Sequence, residues 1–96
     1  MTINILGMPF TVEEKECIDA PDAGVTQGLI IHSEGKILIR ESLPKDLKRT
    51  VLIHEVVHGM LVLIGRNDLT EDESLVQTLA IAIDQTFQLK GDTSDE

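Results

Sequence analysis

The sequence predicts an α+β fold, a small antiparallel β-sheet of two hairpins packed on two helices, and three observations carry that prediction. Short β-prone stretches bounded by turn and loop residues lie within the first forty positions. The hydrophobic period then changes at Ser42-Leu43-Pro44, and beyond it two long segments run at helical spacing.

From Thr2 to Glu14, β-prone residues at Ile3 and Ile5 and again at Phe10 and Val12 flank Gly7-Met8-Pro9, which reads as the turn of a first hairpin. The stretch from Glu16 to Gln27 carries Pro21, Asp22 and Gly24, has no clear period, and is expected to be loop. Leu29-Ile30-Ile31-His32 and Lys36-Ile37-Leu38-Ile39-Arg40 then surround Ser33-Glu34-Gly35, a turn with glycine at its end, and predict a second hairpin.

Ser42 is the expected cap of the first helix, Pro44 fits its first turn, and about twenty residues without a breaker follow as far as Gly65. Apolar side chains fall almost all the way round this helix, Lys48, Arg49 and Glu55 being the main exceptions, so it is expected to be covered on most sides. A second helix is expected from about Glu71 to about Leu89, entered through Arg66-Asn67-Asp68-Leu69. Val76, Ala80, Ile83 and Phe87 recur on one side of it and suit packing against the first helix.

At 96 residues and 42% hydrophobic content the chain supports one core, so residues 1–90 read as a single domain and residues 91–96 as an acidic flexible tail. Seventeen acidic residues against eight basic ones, with a net charge of -9 and no basic stripe, argue against nucleic-acid binding through phosphates. The lone Cys17 excludes an internal disulfide framework and points to the cytoplasm. Its acidic neighbours Glu16 and Asp19 disfavour a thiolate, so it reads as an inert side chain. Met1-Thr2-Ile3-Asn4 lacks the features of a signal peptide, and the apolar run from Met60 to Ile64 is too short to cross a bilayer. A soluble cytoplasmic protein without a membrane partner is expected.

The chemistry concentrates at His54-Glu55-Val56-Val57-His58. Histidines four residues apart on a helix project from one face, one turn above the other, so both imidazoles reach a single tetrahedral ion. Glu55 sits about 100° round the helix from His54, unable to share the metal easily but placed to reach a water bound there. Zinc would bring that water's pKa toward ~7, and Glu55 would take its proton as general base and return it to the leaving amine. A single histidine on an apolar helix is ordinarily a core residue with a satisfied hydrogen bond. Two of the chain's three histidines at this spacing, with a glutamate between them, go beyond that, because burying unpaired polar groups costs several kcal/mol each and a metal removes the cost.

A catalytic zinc site needs a third protein ligand, and no histidine follows at the spacing of the longer H-E-x-x-H-x-x-G-x-x-H motif. Among Glu71, Asp72 and Glu73, only Glu73 lies on the stripe of Val76, Ala80 and Phe87 that faces the first helix. Glu73 also fits a capping box, Thr70-Glu71-Asp72-Glu73, and both readings stand on the sequence alone. His32 and Arg66 are weaker candidates, as a transition-state donor and an oxyanion partner; an exposed strand histidine and a loop decoration are the plainer readings.

With Thr50-Val51-Leu52-Ile53-His54-Glu55-Val56-Val57-His58, the downstream Glu73-Ser74-Leu75-Val76-Gln77-Thr78-Leu79-Ala80 and a β-rich front half, the chain resembles a small zincin of the ImmA/IrrE type, a metallopeptidase family found in many phages and prophages. The resemblance covers most of the chain, although the front half matches only in kind. It implies Zn2+ held by His54, His58 and Glu73, Glu55 as catalytic base, and hydrolysis of a protein or peptide substrate inside cells. The chain departs from the pattern in having no tyrosine and no evident partner for a developing oxyanion. An inactive zinc-stabilised interaction module is the competing expectation, since metal binding can serve folding in a small domain.

Overall fold

The computed structural model describes residues 1–21 and 24–94. Strands β1 (Thr2–Ile5) and β2 (Met8–Lys15) form the first hairpin, paired from Ile5 with Met8 to Thr2 with Thr11. Its turn is Leu6-Gly7, both at positive φ, one residue earlier than the sequence suggests. That two-residue geometry matches the twist of the flanking strands, so Met8 and Pro9 can join the strand. Short strands β3 (Asp19–Ala20) and β4 (Gly24–Val25) pair as a separate ribbon within the segment expected to be loop. Strands β5 (Gly28–Ile31) and β6 (Lys36–Arg40) form the second hairpin, and a 3-10 turn over His32–Glu34 takes His32 out of the strand.

The two hairpins join into one four-stranded sheet of order β1-β2-β6-β5. Its central pair, β2 and β6, is parallel, from Thr11 with Lys36 to Lys15 with Arg40, so the sheet is mixed rather than wholly antiparallel. The excursion over residues 16–27 carries the chain past one strand position, and β6 returns into the space left. Ile37 of β6 is fully buried there and Ile39 nearly so, and an interior position is where an apolar strand gains most.

Helix α1 (Lys45–Leu63) lies across one face of this sheet. Val51, Leu52, Val56 and Met60 meet Ile5, Phe10, Ile37 and Ile39 in the first core cluster. Pro44 itself occupies the capping position, with no side-chain cap, so Ser42 does not serve that role. The C-terminus closes as a Schellman motif: the Gly65 N–H bonds Val62 O at 3.0 Å and the Arg66 N–H bonds Leu61 O at 2.8 Å. Gly65 adopts φ 81° to do so, a conformation that costs a side-chain-bearing residue.

After α1 a single-turn helix, α2 (Asn67–Thr70), precedes the long helix α3 (Glu73–Ser94). The cap of α3 is Asp72, whose Oδ1 accepts the Leu75 N–H at 3.1 Å. The capping box that Thr70-Glu71-Asp72-Glu73 allowed as an alternative is therefore absent, and the helix begins two residues later than the sequence suggests. Val57, Leu61, Val76 and Ala80 bury one another between the antiparallel α1 and α3, so α1 is covered by the sheet on one side and α3 on the other. Phe87 departs from expectation and stands 59% exposed. Asp84 already faces Arg49 and Thr50 in the second turn of α1, so Phe87 falls level with the start of that helix and has little left to pack against. The tail expected over residues 91–96 overlaps the last turn of α3, and residues 95 and 96 lie outside the described residues. Among the described residues no helix is long and apolar enough to cross a membrane.

Candidate metal centre

The antiparallel pairing of α1 and α3 brings two i, i+4 pairs face to face. His54 and His58 sit on α1; Glu73 and Gln77 sit on α3. Glu73 Oε1 lies 2.7 Å from His58 Nε2 and Glu73 Oε2 lies 3.3 Å from His54 Nε2. Atoms able to ligate a metal, one each from His54, His58 and Glu73, all fall within 4.8 Å of one another, the one such cluster among the described residues. Both histidine side chains are largely covered, and the carboxylate of Glu73 opens to solvent.

The remaining nitrogen of each ring is also engaged. His54 Nδ1 is 2.7 Å from Gln77 Oε1, and His58 Nδ1 is 2.7 Å from Thr70 Oγ1. The carbonyl oxygen of Gln77 only accepts, so Nδ1 of His54 carries a hydrogen, and in the neutral form of the ring Nε2 turns a bare lone pair toward Glu73. A lone pair facing a carboxylate is repulsive unless a proton or a cation lies between them. Burial holds His58 below its usual pKa, against the pull of the Glu73 charge, and so disfavours a ring protonated on both nitrogens. Two imidazole nitrogens and a carboxylate, each oriented by a further partner, form a donor set suited to a tetrahedral divalent metal with one open position.

Glu55 is the buried charged residue of the described core, 8% exposed, on the side of α1 that meets β5. The approach there is close: a Cβ added at Gly28 would stand 2.5 Å from Val51 Cγ1 and 3.4 Å from Glu55 Oε2. Burial lifts Glu55 to about 7; the His54 charge pulls it down, the Glu73 charge adds to the rise, and the Ile30 backbone N–H lowers it. A carboxyl poised there exchanges a proton near neutral pH. Glu55 and His54 also line an open cavity of about 160 Å³ that continues past Gly28, Thr50, Val51 and Gln77.

The weaker candidates fall outside this arrangement. Arg66 is held by Asp68 in a paired contact at 3.0 and 2.8 Å. His32 packs edge-on against Phe10 with ring centres 6.4 Å apart. Cys17 is exposed and free. Thr70 and Gln77 are the site residues that sequence reasoning passed over. Gln77 was visible in principle, since it stands one helical turn beyond Glu73 and so shares its face. Thr70 was not, because its contact with His58 depends on how α2 folds back over α1.

Comparison of the chain with protein-family models, with curated proteins and with solved structures finds no match to any of them. The site is therefore read from its own geometry.

Proposed function

We propose that the chain is a zinc-dependent metallopeptidase of the ImmA/IrrE-like zincin type, acting in the cytoplasm on a protein or peptide substrate. The observation that carries this reading is the convergence of His54, His58 and Glu73, with a buried Glu55 that lines one cavity together with His54. Zinc in such a site supplies a Lewis acid that acidifies water and polarises a peptide carbonyl.

The protein's part is positioning and proton transfer. His54, His58 and Glu73 would hold the metal, with the imidazoles oriented from behind by Gln77 and Thr70. The Glu55 carboxylate takes the proton of the attacking water and passes it to the departing amine, so the same group serves as base and then acid. Its buried setting against β5 keeps its pKa near that of its task.

The test compares the unaltered protein with Glu55→Gln against a pool of peptides, with zinc content measured for both. Cleavage by the unaltered protein that is lost in Glu55→Gln, at equal zinc content, is the expected result. If neither cuts while both hold zinc and stay folded, the enzyme reading fails.

One observation favours the alternative, a zinc-stabilised interaction module without activity. The cluster ties α1 to α3 through Glu73 and to α2 through Thr70, so a metal there would staple the helical half of a small domain.

A further inference from the structure

The backs of the two histidines are held by uncharged groups. Gln77 presents an amide oxygen to His54 and Thr70 a hydroxyl to His58, each at 2.7 Å. Among the described residues no carboxylate bonds either Nδ1. We propose that Gln77 and Thr70 are the positioning residues that set both imidazoles for metal binding, and that their neutrality keeps the metal exchangeable. The proposal rests on the zinc site proposed above.

A neutral imidazole has one N–H, and only the other nitrogen can bind a metal. Gln77 Oε1 fixes the hydrogen of His54 on Nδ1, which frees Nε2 on the side of Glu73. Thr70 is less restrictive because a hydroxyl both donates and accepts. When it accepts from His58 Nδ1, Nε2 is free to ligate; when it donates, Nε2 carries the hydrogen and pairs with Glu73 instead. Thr70 thus accommodates the metal-free contact of 2.7 Å between His58 and Glu73 as well as the loaded site, by rotating its hydroxyl as the ring hydrogen of His58 passes from Nε2 to solvent and Nδ1 takes one up.

Charge decides how tightly the metal is held. A carboxylate behind a ligating imidazole raises the basicity of the ring and strengthens the bond to the metal. An amide or hydroxyl orients the ring without that added basicity. The metal then keeps more of its own charge, which favours acidifying water over holding the ion.

The chain is stripped of metal, and the zinc dissociation constant is measured by competition with a chromophoric chelator. The visible spectrum of the Co2+-loaded protein reports ligand geometry, and urea unfolding of the metal-free form reports structural damage. Gln77→Leu and Thr70→Val are expected to weaken zinc by roughly 10–100-fold and to alter the cobalt bands, while Thr70→Ser restores both. Gln77→Glu is expected to tighten zinc by about tenfold. Because Thr70→Ser and Gln77→Glu keep a hydrogen-bonding group at each position, they retain a readout should the apolar variants fail to fold. If the unaltered protein binds zinc and all four variants match it within about twofold, the positioning role is overturned and the site itself stands. Metal-free stability that falls without a change in affinity also overturns it. An unaltered protein that takes up no zinc overturns both this inference and the zinc site.

Discussion

Gly28 and Val51 meet so closely that a single Cβ on the glycine would lie 2.5 Å from Val51 Cγ1. This contact sets the distance between β5 and α1, and Glu55 is buried in the same gap. Gly28→Ala forces the helix and strand apart and is expected to destabilise the protein by about 1–3 kcal/mol, the usual cost of overpacking. Urea unfolding measures it. A variant as stable as the unaltered protein would show that the gap closes without strain.

Removal of metal should be visible as lost stability. Zinc at a hundred times its dissociation constant is expected to stabilise the fold by about 2.7 kcal/mol, and excess chelator to remove that gain. Thermal unfolding with and without zinc checks it, the chelated protein having the lower midpoint.

Glu73→Gln separates ligation from capping. Because Asp72 caps α3 and the Glu73 side chain is 66% exposed, this variant should leave metal-free stability nearly unchanged and lose most of its zinc affinity. Zinc binding equal to that of the unaltered chain would remove Glu73 from the ligand set.

Asp72→Ala should show the reverse pattern. Losing the side-chain acceptor for the Leu75 N–H is expected to cost about 0.5–2 kcal/mol in the metal-free protein, with Asp72→Asn close to neutral. Helicity and unfolding midpoints of the two variants provide the comparison.

The metal-free protein should lose stability as pH rises through neutrality on account of Glu55. Its carboxyl sits at about 7 in the fold against 4.5 in the open chain. Between those values the folded state keeps a proton that the unfolded state has released. The contribution is therefore full below pH 4.5 and gone above about 7, on the order of 3 kcal/mol in all. His58 acts oppositely at the acid end, since its lowered pKa lets the unfolded chain bind a proton first as pH falls. The difference between the unaltered protein and Glu55→Gln in unfolding free energy, followed with pH in chelator, isolates the glutamate; a flat difference would contradict its burial as the cause.

Sequence by itself determined the α+β class, both hairpins, the long helix bearing His54, Glu55 and His58, and the face on which Glu73 lies. These follow from periods of 2 and 3.6 residues and from turn residues, which are local properties of the chain. Tertiary structure alone decided the parallel joint between β2 and β6, because a strand's alternation is the same whichever way its neighbour runs. It also decided the fate of Thr70. The local pattern offers its hydroxyl to the cap of the next helix, but α2 turns it onto His58 and Asp72 takes the cap instead. Phe87 stands exposed for a related reason: periodicity assigns a residue to a face and does not say where the opposing helix ends. The donor pattern was thus written in spacing, and the groups behind the histidines were set by how the helices and α2 dock.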